Sequence, residues 1–146
     1  MGIKITTLKK PDLDVLRDID HLLKHLVHDP KTYKHVPMRT FREIVVDKNI
    51  VLVIARDGTR TVGIGLLLIV TKFRGRYGYV EDMMVDEEYR GRGIGKAIAE
   101  YLIELAKKRK IKTLELSTRP SRIPANNLYK KLGFQYKETN VYRMQL

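Results

Sequence analysis

Apolar and polar residues alternate at the start of the chain, with Ile3 and Ile5 set against Lys4 and Thr6. This is the period-two pattern of a half-buried strand, here over residues 3–8. The period then lengthens. Leu13, Leu16, Ile19, Leu22, Leu23 and Leu26 recur at helical spacing, which predicts an amphipathic helix capped by Asp12 or Asp14. Residues 28–37 read as a loop around the turn signal Asp29-Pro30, and 39–46 as a second helix. Two strands follow at 50–56 and 61–71, joined by Asp57-Gly58, a pair suited to a hairpin turn. A turn at 73–77 leads into a strand at 78–85. Ile94, Ala97, Ile98, Tyr101, Leu102, Leu105 and Ala106 mark one face of a long helix over 93–108. After a strand at 111–117 comes a short helix at 123–132, with Pro124 in its first turn and Gly133 just past its end. Strands at 134–138 and 141–145 complete the series. The order is βααβββαβαββ, which predicts an α/β (α+β) fold, a mixed sheet covered by helices.

Composition narrows the class. At 146 residues, 43% hydrophobic and 32% charged, the chain suits one globular domain over 1–146 with a real core. Its longest apolar run, 64–70, is a strand's length, far short of a membrane span. No apolar leader opens the chain. Met1-Gly2-Ile3-Lys4-Ile5-Thr6 fits a loose N-myristoylation pattern, but the alternation of a first strand explains the same residues. Cysteine is absent, which excludes disulfides, thiolate metal sites and thiol nucleophiles, and fits a cytoplasmic location. Lys and Arg outnumber Asp and Glu by 29 to 17, a net charge of +12 that favours polyanionic partners: a nucleic acid, or a cofactor bearing phosphates.

The segment following the 78–85 strand favours the cofactor. It runs Tyr89-Arg90-Gly91-Arg92-Gly93-Ile94-Gly95-Lys96, three alternate glycines opening a helix beside three cations. Glycine permits close backbone approach. A helix start offers unpaired N–H groups and partial positive charge, which suit a phosphate. Two familiar phosphate loops do not fit. Lys96 stands where the dinucleotide fingerprint needs its third glycine, and Arg90 and Ala97 occupy the positions where a P-loop needs Gly and Ser or Thr.

Arg90-x-x-Gly93-x-Gly95 resembles the pyrophosphate-binding motif of the GNAT superfamily of N-acetyltransferases. A strand ending Met83-Met84-Val85-Asp86 precedes it, and an amphipathic helix follows. Residues 125–134, Ala-Asn-Asn-Leu-Tyr-Lys-Lys-Leu-Gly-Phe, resemble that family's second signature, a tyrosine-bearing helix ending in Gly-Phe. The resemblance covers nearly the whole chain. It implies a mostly antiparallel central sheet and acetyl-coenzyme A as donor, with the pyrophosphate at Arg90, Gly91, Arg92, Gly93, Ile94, Gly95 and Lys96. The backbone of Met83, Met84 and Val85 would pair with the pantetheine amides. Seven residues before the tyrosine, where the family often has asparagine, this chain has Arg122, so Asn126 is the substitute candidate for the pantetheine contact.

Amine acetylation needs a neutral amine, a donor to the oxyanion and an acid for the departing thiolate. Glu81 is the candidate base, an acidic residue in Val80-Glu81-Asp82-Met83-Met84-Val85, where burial would suit a carboxyl to that role. Holding a cationic acceptor, or simply facing solvent, are the plainer readings of Glu81. Period two sends Asp82 to the opposite face. By resemblance Tyr129 is the acid at the sulfur. Its plainer reading is a packed aromatic beside Leu128 and Leu132. Tyr142 is placed in the acceptor pocket from element order. His21, His25 and His28 have a spacing that a metal could use, but a solvated helix face explains them and the reaction needs no metal. The run 107–110 is a solvated basic helix end. The leading expectation is acetyl transfer to the primary amine of a small molecule. The alternatives are a protein or peptide N-acetyltransferase, a non-catalytic acetyl-coenzyme A binder and a nucleic-acid-binding module. The last lacks interleaved aromatics and any recognised motif. No membrane partner is expected, and a homodimer is left open.

Overall fold

The computed structural model describes residues 2–146. The lipidation pattern begins on Met1, which lies outside the described residues. The chain runs β1 (Lys4–Thr7), α1 (Leu13–Lys24), α2 (Met38–Val46), β2 (Ile50–Asp57), β3 (Arg60–Lys72), β4 (Gly75–Val85), α3 (Ile94–Lys108), β5 (Thr113–Leu116) and α4 (Ile123–Lys131). Short 3-10 turns occupy Pro30–Thr32 and Glu87–Tyr89. The strands form one sheet in the order β1-β2-β3-β4-β5. The first four are antiparallel neighbours, and β5 joins β4 in parallel through the α3 crossover.

The expected order holds as far as α4 and then stops. Residues 134–138 and 141–145 were expected as two strands, but among the described residues no strand follows α4. A strand is completed only by a partner edge, which an alternating pattern cannot supply by itself. The β3–β4 turn is also tighter than expected, because β3 continues to Lys72 and β4 begins at Gly75.

Each face of the sheet carries a core. On one face Val15, Leu16, Ile19 and Leu22 of α1, with Phe41 and Val45 of α2, pack on Leu52, Ile54, Ile64, Leu66 and Met84. On the other, Ile94, Ile98, Leu102 and Ala106 of α3 pack on Val51, Val53, Val62, Leu67 and Val80. Leu16, Ile19, Leu22 and the four α3 residues belong to the expected helical stripes, whereas Leu13 and Leu26 at the two ends of the α1 stripe are exposed and Val15 is buried in their stead. Asp12 caps α1, accepting from the amides of Asp14 at 2.9 Å and Val15 at 3.3 Å. Asp18 accepts the buried Thr61 amide at 2.7 Å, which pins α1 to β3. Gly65 lets α3 lie close, since a Cβ there would stand 2.9 Å from both Ile98 and Leu102.

Candidate active site

The site begins with an irregularity in β4. Leu66 pairs with Glu81 but Ile64 pairs with Met84, so Asp82 and Met83 together oppose Gly65 alone. This is a β-bulge, which bends a strand and re-aims its side chains. Asp82 absorbs it at φ 49°, in the left-handed region that Asp tolerates better than most residues. The bulge breaks period two, so Asp82 is an exposed bulge residue rather than the simple opposite-face partner of Glu81. Pairing between β4 and β5 runs from Tyr77–Thr113 to Val80–Leu116 and ends there. Past that point the two strands part, and the β5-facing backbone of residues 83–85 is left without a strand neighbour.

A cleft of about 610 Å³ opens in this gap. Met83, Met84 and Val85 form one wall, and Pro124, Leu128 and Tyr129 of α4 face them. The Tyr129 hydroxyl reaches across to within 3.8 Å of Met83 Sδ. Burial raises its pKa above the usual tyrosine value, against an opposing pull from Arg122, so the phenol keeps its proton at neutral pH. The Gly-Phe signature fixes that side chain. Gly133 takes φ 97°, its N–H donates to the Lys130 carbonyl, and the Phe134 N–H donates to the carbonyl of Tyr129 itself at 3.0 Å. This is a Schellman closure. The Phe134 ring then packs edge-on against the Tyr129 ring, 5.9 Å between centroids.

The glycine loop closes one end of the cleft. Gly91 and Gly93 have φ of 75° and 78°, and a Cβ on either would meet nothing within 4 Å. Gly93 is the N-cap of α3 and offers no side-chain cap, so the first amides of that helix keep their donors. Open space over bare, donor-rich backbone fits a bulky anion such as a pyrophosphate. Arg90 lines this end, with Nε 3.3 Å from the Val85 carbonyl. Asp86 anchors the loop from below. It is buried, pairs with Arg60 at 2.8 Å and accepts the Glu88 amide at 3.0 Å.

The remaining expected residues divide. Gly91, Gly93, Ile94 and Gly95 line the cleft with Arg90. Arg92 turns aside, donating to the Glu88 carbonyl at 2.9 Å and lying over the Tyr89 ring, and Lys96 pairs with Glu100 at 3.6 Å. Asn126 donates to the carbonyls of Arg119 and Arg122, at 3.0 and 2.9 Å, and so holds the loop that leads into α4. Glu81 is exposed, just before the cleft begins on β4, so the burial expected for it is not there. Tyr142 is 88% exposed and stands outside the cleft lining, because the strand that would have carried it inward does not form within this chain.

Sequence reasoning set His21 and His25 aside as a solvated helix face. Both line the cleft, His21 from α1 and His25 from its C-cap, their rings edge to face at 4.6 Å, and His21 Nε2 lies 3.9 Å from Asp86. The available signal was their one-turn spacing beside Leu22 and Leu26, which line the same wall. Arg122 also lines the cleft, at the position where the chain departs from the resembled signature. Among the described residues, no group of three or more His, Cys, Asp or Glu is placed to hold a metal ion.

Comparison with known proteins agrees with this geometry. Residues 18–134 match the model of the acetyltransferase (GNAT) family. A glucosamine 6-phosphate N-acetyltransferase of Trypanosoma brucei brucei is 38% identical over 82 residues, 54% of this chain and 54% of that protein. A putative [ribosomal protein bS18]-alanine N-acetyltransferase of Bacillus subtilis is 31% identical over 84 residues, 58% of this chain and 52% of that protein. The chain thus matches about half the length of these curated relatives. A crystal structure of a transcriptional regulator from Bacillus halodurans superposes with a TM-score of 0.84 at 26% identity, covering 99% of this chain and 100% of that one. With a family match across most of its length and a mostly antiparallel sheet that splays beside a glycine-opened helix, the chain belongs to the GNAT family of acetyltransferases.

Proposed function

We propose that this chain moves the acetyl group of acetyl-coenzyme A onto the primary amine of a small molecule. The observation that carries the reading is the gap between β4 and β5, with a protonated tyrosine on one side and the open glycine loop at its end. The family uses acetyl-coenzyme A, which brings an acyl group already activated as a thioester. Gly91, Gly93, Gly95 and the first amides of α3 would hold its pyrophosphate, aided by Arg90, while the free backbone of residues 83–85 would take the amides of its arm.

The residues of this chain then have separate tasks. Glu81, solvated at the rim, attracts the acceptor ammonium and takes its proton directly or through water. The neutral nitrogen forms a bond to the acyl carbon as the carbon–sulfur bond breaks. Tyr129 holds its proton at the Oη that faces Met83 and gives it to the departing sulfur. His21 and His25 lie where they can contact either the acceptor or the phosphates. The glucosamine 6-phosphate relative supports a small amine as acceptor, and the lack of cysteine supports a cytoplasmic location. No helix among the described residues is long and apolar enough to cross a membrane.

The test is thiol release from acetyl-coenzyme A with amino sugars, aminoglycosides, free lysine analogues and alanine-initiated peptides. Turnover with a small amine supports the reading, and turnover confined to peptides replaces the acceptor class. No release with any of them, while calorimetry shows the cofactor bound, makes the chain a binder. Gly93→Asp, which sets a carboxylate at the pyrophosphate position, should abolish calorimetric binding with the fold intact. Glu81→Gln should cost about 10²–10⁴-fold in rate and shift the acidic limb of the pH–rate profile. A wild-type rate with the same limb removes Glu81 from the proton path.

A further inference from the structure

The end of the sheet away from the cleft gathers cations. Residues 72–76 turn the β3–β4 hairpin, and 107–112 turn the corner from α3 into β5. These eleven residues hold eight Lys or Arg and no carboxylate. The fold sets the two stretches side by side. The Lys112 N–H donates to the Arg76 carbonyl at 2.9 Å, the Arg76 guanidinium to the Arg109 carbonyl at 3.1 Å, and the Arg109 guanidinium to the Lys48 carbonyl at 3.3 Å. All eight cations are exposed, and among the described residues Lys107 alone of them is paired, with Glu104. Elsewhere on the surface such charges are relieved: Arg17 by Asp14, Arg39 by Glu43, Lys96 by Glu100. Here the repulsion stands. The backbone is strained at the same place. α3 ends in a Schellman closure, with the Ile111 N–H donating to the Ala106 carbonyl and the Lys110 N–H to that of Lys107, and Lys110 takes the left-handed position at φ 56°. Glycine is the ordinary occupant there. Strain of this kind gathers where a side chain is used, and this side chain adds one more charge to the crowd.

The aromatic rings that the run 107–112 lacks are supplied by the hairpin. Phe73 is 113% exposed at its apex, between Lys72 and Arg74. Tyr77 and Tyr79, one strand period apart on β4, are half-buried, and Lys72 Nζ lies over both rings, 4.3 and 5.1 Å from their centroids. Unpaired cations suit phosphates. Accessible rings among them suit unpaired bases, which stack on such rings whatever their sequence. A duplex keeps its bases from the rings. A bilayer would take the cations, but Phe73 is the one fully exposed apolar side chain of the two stretches, too little for insertion. We infer that this corner binds single-stranded nucleic acid, with phosphates on its lysines and arginines and bases on Phe73, Tyr77 and Tyr79. β4 separates it from the cleft by about 30 Å, the length of a strand from Gly75 to Val85. The cofactor site is left open, and the inference rests on charge and ring placement, independently of the transfer reaction.

The measurement is fluorescence anisotropy on the full chain with a labelled oligouridylate of about 12 nucleotides. Micromolar binding that weakens steeply with salt is expected. Arg74→Ala with Lys108→Ala and Lys110→Gly removes three free cations, so the slope of log affinity against log salt should fall by about 2. Lys110→Gly relieves the strained turn, and the triple variant should keep the parent's thermal midpoint. Phe73→Ser removes a ring and no charge, and should weaken binding about tenfold with the salt slope unchanged. Calorimetric affinity for coenzyme A should be the same in all these variants, and saturating coenzyme A should not displace the oligonucleotide. No binding at low salt overturns the inference. So does binding that the substitutions leave untouched or that coenzyme A displaces, which would put the oligonucleotide in the cleft. Equal affinity for a duplex or for polyglutamate would make the corner a general anion surface, and binding confined to vesicles of anionic lipid would make it a membrane contact; each overturns it too.

Discussion

The chain up to Ala106 and the chain after it are built on different terms. The first region has a sheet with a core on each face, and Val15, Val53, Val62, Leu67, Ile98 and Leu102 have no accessible surface at all. The second contains β5, α4 and the tail, and nothing in it is buried. Yet the cleft takes one wall from each region: β4 and the glycine loop from the first, Tyr129 from the second. The binding floor is therefore held by packing, whereas the residue assigned to proton transfer is held by a helix cap, the Phe134 ring and its reach to Met83. Low local stability is where moving parts of binding sites are commonly found.

The largest test of this contrast lies in the core. Leu67→Ala and Ile98→Ala should each cost about 2–5 kcal/mol in urea denaturation. Leu116→Ala, on half-buried β5, should cost less than half as much. Equal costs would break the comparison. Next in size, Tyr129→Phe should lower turnover about 10²-fold, the lower end for a positioned acid, and leave calorimetric cofactor affinity nearly unchanged. Loss of affinity with normal turnover would make Tyr129 a packing residue of the weakly held wall.

The cap of α1 offers a smaller effect. Asp12→Ala should cost about 1 kcal/mol at neutral pH. The Val15 amide bond chiefly holds the Asp12 carboxyl below its ordinary 3.8, partly offset by burial, with the Asp14 amide and Arg56 adding to the lowering. Its folded pKa lies below its unfolded one, so the stabilisation is present above pH 3.8 and is lost as pH falls through the folded value. The wild-type and Asp12→Ala stability curves should therefore converge in acid, and a gap persisting there would assign the cost to packing. Smallest of all, Lys137→Ala should change stability by about 0.5 kcal/mol or less, because its pair with Glu115 is solvent-exposed. A larger change would mean that the tail root is more firmly held than its exposure shows.

Much of the fold was legible because it is periodic. The stripes name much of the helical core, Leu16, Ile19 and Leu22 in α1 and Ile94, Ile98, Leu102 and Ala106 in α3, but Leu13 and Leu26 are exposed and the buried Val15 and Ala99 lie off the stripes; Asp12 announces the cap that forms. The glycine loop was legible because glycine at alternate positions has few local reasons to occur, and Gly91 and Gly93 do take positive φ. Gly133-Phe134 was legible for the same reason, although its effect on the Tyr129 ring was not. Glu81 looked buried because its neighbours are apolar, but in a bulged strand near the edge of the packed region apolar neighbours do not imply cover. His21 and His25 looked solvated because periodicity says which face of a helix is polar, not which cleft that face borders.

By itself, then, the sequence determined the segments: where the backbone follows a period of two or of 3.6, where glycine frees it, and which family signature it carries. Tertiary structure decided what those segments meet. It placed the bulge at Asp82 where β4 parts from β5, brought His21 to Asp86, turned Arg92 and Lys96 away from the cleft lining toward Glu88, Tyr89 and Glu100, and left residues 134–146 without a strand to join. The physical reason is the range of the interactions. Helix stripes, caps and glycine turns are settled within a few residues, whereas strand pairing and burial depend on partners far along the chain.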